Sequence, residues 1–126
     1  MASKRVKKIP IKKLILAIDD AFKAKIFARD VAEFGPSVCP LCQKPSDFFQ
    51  WCHMISAAKY ATRWNPLNVY RQCRGCNLRH EFHPQYFTDW WLKRHGAAVY
   101  HALVFASNQV ADYKRKDYEK ILGEMK

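Results

Sequence analysis

The sequence predicts an α+β fold that is mostly helical, with a small ββα-type module enclosed by helices from both ends of the chain. Three observations lead to this prediction. Apolar residues recur at helical spacing over residues 11–34 and again from Pro84 onward. Two Cys-x-x-Cys pairs lie between these two regions. A short apolar and aromatic stretch, residues 48–55, follows the first pair and is typical of a strand.

The flanking elements follow from periodicity and from helix-breaking residues. Residues 1–10 are predicted to be a basic arm, and residues 11–34 a helix that ends at Gly35-Pro36. Residues 84–126 are predicted to be a helical tail of three helices, the first of which ends at Gly96. One face of the first helix is apolar, and the prediction assigns to the core Leu14, Ile15, Ile18, Phe22, Ile26 and Phe27.

Length and composition indicate one folded domain over residues 1–126. A chain of 126 residues has room for one modest core, and 49% hydrophobic residues is too apolar for a disordered basic tail. No apolar run approaches the roughly 20 residues that cross a bilayer. The basic N-terminus lacks the apolar segment and the cleavage site of a secretory signal. These features predict a soluble, intracellular protein.

Charge points to a polyanionic partner. The chain carries 22 Lys and Arg against 11 Asp and Glu, a formal net charge of +11. Nucleic acid is the common partner of so basic a domain, although a solvated surface that maintains solubility is the alternative. Basic residues crowd residues 4–13 and 63–79.

The cysteine spacing predicts a structural zinc site. Two residues between cysteines allow a tight turn to direct both sulfurs at one ion, and two such turns complete a tetrahedron. A redox-active pair is the alternative, but the chain shows no thioredoxin-like βαβ pattern. Thirty residues separate the two pairs, and residues 38–83 form the predicted zinc-bound module. The predicted ligands are Cys39, Cys42, Cys73 and Cys76.

Three further residues in this module make a recognisable constellation. His53, Asn68 and Asn77 follow the pattern His-x14-Asn-x8-Asn, with one Cys-x-x-Cys pair before the histidine and the other directly before the last asparagine. This arrangement is similar to that of the HNH (ββα-metal) nucleases. Residues 63–77, RWNPLNVYRQCRGCN, resemble the NinG (Rap) recombination proteins of lambdoid phages more specifically. The likeness extends weakly over residues 4–126.

The resemblance implies a structure-selective DNA endonuclease of phage recombination. Such an enzyme would cut branched DNA, including Holliday junctions and D-loops, in the host cytoplasm. His53 would be the general base, Asn68 a structural brace, and Asn77 a ligand of a catalytic Mg²⁺ or Mn²⁺. His80 lies three residues after Asn77 on the same helical face and would be a second ligand or a phosphate contact.

The chain departs from the HNH pattern at the acidic metal ligand. Cys52 stands directly before His53, where many HNH sites carry an acid, and Gln50 occupies the slot in which related chains place one. Asp47 and Glu81 are the nearby carboxylates. Three alternatives follow. One of these two carboxylates reaches the site, the site uses a softer metal than Mg²⁺, or the nuclease site has lost its activity.

DNA contacts are predicted at the phosphate backbone, which makes binding sensitive to shape and salt rather than to sequence. A homodimer is also expected, because symmetric cutting of a four-way junction needs two active sites. A non-catalytic zinc module that binds branched DNA or a recombination partner is the alternative function, and a sequence-preferring homing-type HNH nuclease is a third. The predicted DNA-binding residues are Lys59, Arg63, Arg71, Arg74 and Arg79.

Overall fold

A computed structural model describes residues 8–125 and assigns them six α-helices, one 3₁₀ turn and one two-stranded sheet. The chain is mostly helical, as predicted. The elements in chain order are α1 (Ile11–Phe34), β1 (Phe49–His53), α2 (Tyr60–Arg63), the 3₁₀ turn (Pro66–Asn68), β2 (Val69–Cys73), α3 (Arg74–Phe82), α4 (Gln85–His95), α5 (Ala97–Ser107) and α6 (Arg115–Met125).

The chain separates into two compact units, and α1 contributes to both. The smaller unit contains the first half of α1 and all of α6. Leu14, Ile18 and Phe22 are buried on α1, at the four-residue spacing that places them on one helical face. Tyr118 is buried on α6. The basic arm predicted at residues 1–10 falls largely on residues 1–7, outside the described residues.

The larger unit, residues 23–111, contains the sheet and the cysteine pairs. β1 and β2 run antiparallel, with Phe49 opposite Cys73 and His53 opposite Val69. Helix α3 follows β2 directly, so the order of elements is strand, strand, helix. The main buried hydrophobic cluster of this unit contains Cys39, Leu41, Cys52, Tyr70, Cys76, Phe87, Trp91 and Leu103.

Side chains from the second half of α1 are hydrogen-bonded to the backbone of β2. Asp30 is fully buried and accepts a hydrogen bond from the Arg71 backbone N–H at 2.9 Å. The Arg29 guanidinium donates to the Val69 carbonyl at 2.7 Å and also pairs with Asp30 at 2.9 Å. Satisfying these buried groups is what allows a short strand to lie against a helix.

The segment between the strands contains structure that periodicity did not predict. Helix α2 and the 3₁₀ turn lie between β1 and β2, where the sequence shows no helical apolar repeat. The Asn65 side chain accepts a hydrogen bond from the Leu67 N–H at 2.9 Å, and Pro66 occupies the first position of the turn. Asparagine caps and an initial proline favour such turns even where no apolar repeat exists. Among the described residues, no helix has the length and apolar character needed to cross a membrane.

Helix α4 ends in a histidine whose protonation opposes folding. His95 Nε2 lies 2.7 Å from the Tyr70 hydroxyl, and its ring lies 4.5 Å from that of Trp91. Burial lowers the pKa of His95 below 6.5, and the positive charges of Arg94 and Arg29 lower it further. The unfolded chain therefore binds this proton more readily than the folded chain.

Stability should consequently fall on acidification. Neutral His95 makes its full contribution to the free energy of unfolding above pH 6.5, the pKa of histidine in the unfolded chain. This contribution is lost as the pH falls from 6.5 through the lower pKa of His95 in the folded protein. We expect the thermal midpoint of the wild type to decrease between pH 7 and pH 5 more steeply than that of His95→Gln. Thermal unfolding of both proteins followed by circular dichroism measures this, and equal slopes would contradict it.

Candidate functional site

Four cysteine sulfurs converge in the larger unit. The Sγ atoms of Cys39, Cys42, Cys73 and Cys76 all lie within 4.8 Å of one another. Cys39 Sγ is 3.8 Å from Cys76 Sγ, and Cys42 Sγ is 3.7 Å from Cys73 Sγ. Zinc–sulfur bonds of 2.3 Å place tetrahedral ligands about 3.8 Å apart, so the spacing fits a single Zn²⁺ ion. The cysteines are unbridged, and the cluster could hold the predicted structural metal.

Local backbone geometry forms the two turns that carry these sulfurs. In the first, Gln43 has φ of 60°, and the chain reverses so that the Cys39 N–H donates to the Lys44 carbonyl at 3.0 Å. In the second, Cys73 is the N-cap of α3, and its sulfur accepts the Cys76 N–H at 3.4 Å. The Cys39 sulfur likewise accepts the Cys73 N–H at 3.4 Å. These N–H groups point at sulfur, as thiolate ligands require.

The thiols differ in acidity. Burial raises the pKa of Cys39, and burial together with the charge of Cys39 raises that of Cys76. Burial also acts on Cys73, but the Cys76 N–H and the neighbouring thiols outweigh it and lower the pKa of Cys73. Four thiolates at this spacing repel one another, and a bound cation removes that cost. The site therefore fits a metal ion better than four ionised cysteines alone.

His53 occupies the last position of β1 and is half-buried. Its Nε2 lies 3.1 Å from the Arg63 backbone carbonyl, and its ring meets that of Trp51 edge-on at 4.6 Å. A carbonyl only accepts hydrogen bonds, so Nε2 carries the proton in the neutral ring. The acceptor lone pair of that tautomer is then on Nδ1.

Asn68 is fully buried and connects the segment after His53 to α2. Its amide nitrogen donates to the carbonyls of Ile55 and Thr62, at 3.0 and 3.1 Å. Its amide oxygen accepts the Ile55 N–H at 2.6 Å. The Asn68 backbone carbonyl accepts the Met54 N–H at 2.8 Å. These contacts hold the two residues that follow His53.

Asn77 lies in the first half of α3 and lines a cavity of about 390 Å³ with Gln50, Trp51 and Lys23. Its amide oxygen accepts a hydrogen bond from Gln72 Nε2 at 3.0 Å. Gln50 and Gln72 are paired across the two strands, and the Oε1 atom of each is buried without a hydrogen-bond partner in the described part of the chain. The predicted metal ligand Asn77 therefore shares the cavity with Gln50 and is hydrogen-bonded to Gln72.

The donors at this cavity do not fit a magnesium site. None of the described residues that line it carries a carboxylate, and the Asn77 oxygen is already hydrogen-bonded. Burial raises the pKa of Cys52 to about 12, so this thiol stays protonated at neutral pH and is a poor ligand. Magnesium sites in proteins are usually built on one or more carboxylates, and this lining supplies none.

The predicted second ligand, His80, is directed towards the hydrophobic core. Its ring meets that of Phe87 edge-on at 5.7 Å. His80 Nδ1 is buried and has no hydrogen-bond partner among the described residues. Asp47 and Glu81, the carboxylates that lie near the predicted catalytic site in the sequence, are both exposed. The role of His80 as a ligand remains a prediction.

The predicted DNA-binding residues occupy different environments. Arg71 is 2% exposed, and its guanidinium donates to the Gly35 and Val38 carbonyls at 2.6 and 3.1 Å. This buried position does not favour a phosphate contact by Arg71, and that contact stays a prediction. Lys59 is exposed and donates to Asn108 at 2.6 Å. Arg74 and Arg79 are exposed on α3.

Two cations lie beside the ring that contacts His53. Lys23 Nζ is 4.5 Å from the centroid of the Trp51 ring, and the Arg63 guanidinium is 5.9 Å from it. Arg63 also donates to the Ala57 carbonyl at 2.9 Å. Sequence reasoning missed Lys23, because nothing in the periodicity of α1 distinguishes it from the other lysines of that helix. It missed Gln72 as well, which the antiparallel register of the two strands places opposite Gln50.

Comparison with known proteins gives one distant similarity. No protein-family model matches the sequence, and no solved structure matches it. The SAGA complex subunit Spt20 of Drosophila melanogaster is 28% identical to it over 116 residues. That alignment includes 89% of this chain but only 6% of the fly protein. At this identity and coverage the similarity does not assign the chain to a family.

Proposed function

We propose that this protein is a DNA endonuclease of the HNH type that cuts branched DNA, as its resemblance to NinG implies. The observation that carries the proposal is the arrangement of His53 at the end of β1. The histidine hydrogen-bonds a backbone carbonyl through Nε2, and buried Asn68 holds the two residues that follow it. The order strand, strand, helix and the adjoining cysteine cluster support the same assignment.

In this proposal His53 acts as the general base. Nδ1 takes a proton from a water molecule while the water oxygen forms a bond to the scissile phosphorus. The bond from phosphorus to the leaving oxygen breaks, and that oxygen takes a proton from solvent. Imidazole is the side chain that most often acts as a general base at neutral pH. The contact of Nε2 with the Arg63 carbonyl stabilises the tautomer that the step requires.

Charge for the phosphate would come from the two cations beside Trp51. Lys23 and Arg63 flank the ring that His53 contacts, so a phosphate near His53 would meet positive charge. Mg²⁺ and Mn²⁺ belong in the assay because the resemblance implies a catalytic metal. Mn²⁺ tolerates nitrogen and amide ligands better than Mg²⁺ does.

A non-catalytic module that binds branched DNA is the second candidate. The observation that favours it is the cavity beside Asn77, whose described lining has amides and no carboxylate. Such a module would use the same cysteine cluster and the same basic residues. The two candidates differ in one respect, which is the requirement for His53.

His53→Ala is expected to lower the cleavage rate by about 10²- to 10⁴-fold, the usual contribution of a general base. Binding to the same DNA should remain within twofold of the wild type. The measurement uses the zinc-loaded protein with a labelled four-way junction, a D-loop and a matched linear duplex, first with Mg²⁺ and then with Mn²⁺. His101→Ala, an exposed histidine on α5, is the matched control and should cut like the wild type.

The outcomes separate the candidates. Cuts near the branch point that disappear only in His53→Ala support the endonuclease. Binding to the junction without cuts under either metal rejects the endonuclease and supports the binding module. Cleavage that persists in His53→Ala rejects His53 as the base.

A further inference from the structure

A second cavity, of about 270 Å³, lies against the cysteine cluster and is lined by positive charge. Its walls include Lys44 from the first cysteine turn, and Arg74 and Arg79 from α3. Cys42 and Cys73, one from each pair, form part of the same wall. At about 30 Å³ for each water molecule, the cavity holds a small hydrated anion.

The three cations have no anionic partner within the described part of the chain. None of them forms an ion pair or a side-chain hydrogen bond there, and no acidic residue lines the cavity. Aromatic rings hold the two arginines instead. Arg74 lies 5.0 Å from the centroid of Phe48, and Arg79 lies 4.5 Å from that of Tyr86. The guanidinium N–H donors of Arg74 and Arg79 make no hydrogen bond within the described part of the chain, so they are available for an anion.

The cysteine cluster alone does not account for this charge. A zinc ion with four thiolates carries a net charge of −2, whereas the three side chains carry +3. One positive charge is therefore left over at a cavity whose backbone is fixed by the cysteine turns. Two arginines and a lysine around one cavity are the groups that bind phosphate oxygens in proteins.

We propose that this cavity binds a backbone phosphate of DNA, with Lys44, Arg74 and Arg79 as its ligands. The inference rests on the proposal that the protein acts on DNA, and it adds a position where the duplex is anchored apart from His53. Arg74 and Arg79 are predicted DNA-binding residues, but Lys44 is a new assignment. The phosphate contact fixes the register of the DNA and reads no base sequence.

Lys44→Gln tests the proposal through the salt dependence of binding. The logarithm of the association constant falls linearly with the logarithm of the salt concentration, and removal of one phosphate contact should make this slope shallower by about 0.9. That change corresponds to about fivefold weaker binding at 0.15 M salt. The measurement is a titration of the zinc-loaded protein with a labelled four-way junction at several salt concentrations. Lys44→Arg should retain the wild-type slope.

A matched control distinguishes the loss of a specific phosphate contact from the effect of removing any one positive charge. Lys93→Gln makes the same change at an exposed position on α4 and should leave the slope unchanged. Equal effects of Lys44→Gln and Lys93→Gln overturn the proposal. Zinc affinity, measured by competition with a chromogenic chelator, should be the same in the wild type and in Lys44→Gln.

Each remaining outcome decides a different question. Weaker zinc binding in Lys44→Gln with an unchanged salt slope overturns the phosphate site and assigns Lys44 to balancing the thiolate charge. An unchanged slope together with cleavage that depends on His53 overturns the phosphate site alone. If the wild-type protein binds no DNA, both this inference and the proposed function are rejected.

Discussion

Cys76→Ala is expected to unfold the unit formed by residues 23–111 and to abolish zinc binding. Cys76 is 2% exposed and belongs both to the sulfur cluster and to the hydrophobic core, which includes Trp91. A structural zinc site contributes an apparent 10–16 kcal/mol in small domains, about as much as the total stability of a typical domain. Loss of one of four ligands therefore removes enough free energy to unfold this unit.

Zinc content and tertiary structure measure this effect together. Atomic absorption should give one zinc per chain for the wild type and none for Cys76→Ala. The near-ultraviolet circular dichroism of the tryptophans should be lost at the same time. Cys52→Ala is the matched control, since Cys52 is also buried but lies outside the cluster, and it should retain the metal. A folded, zinc-containing Cys76→Ala protein would contradict the assignment.

Asn68→Ala is expected to destabilise the larger unit by about 2 kcal/mol or more. The substitution leaves the N–H and carbonyl of Ile55 without their partner, whereas the Thr62 carbonyl still accepts the Asn65 N–H at 3.1 Å. Each buried group left without a hydrogen bond costs about 1–3 kcal/mol. The segment after His53 also loses its attachment to α2, so any cleavage of DNA should decrease even where the protein remains folded.

Urea unfolding of the zinc-loaded protein measures the stability change. Asn65→Ala is the matched control, because Asn65 makes a single capping hydrogen bond to the Leu67 N–H. Loss of such a cap typically costs about 1 kcal/mol. Equal destabilisation by the two alanine substitutions would show that Asn68 is an ordinary turn residue and not a brace.

Local patterns predicted the elements of this fold well. The apolar repeat and the Gly35-Pro36 break predicted a helix over residues 11–34, and α1 spans those residues. The cysteine spacing predicted the sulfur cluster, because two residues between ligands constrain each turn regardless of the rest of the chain. Both signals depend on residues close together in sequence.

Side-chain partners across the fold were not predictable in the same way. Arg71 looks like its neighbours Arg74 and Arg79 in the sequence, yet it is buried beneath the segment that follows α1. The approach of Lys23 to Trp51, and of Gln72 to Asn77, depends on how helices pack against the sheet. Charge and composition carry no information about such packing, and the roles given to these residues need the three-dimensional structure.

The contacts of α1 with β2 also solve a problem that every two-stranded sheet has. Beyond its pairing with β1, a strand such as β2 exposes a second row of N–H and carbonyl groups to which another chain can add. Here the Asp30 carboxylate and the Arg29 guanidinium take the Arg71 N–H and the Val69 carbonyl on that edge. Two adjacent side chains of a helix thereby occupy hydrogen-bonding groups that a third strand would use, which closes this edge of the sheet to strand addition.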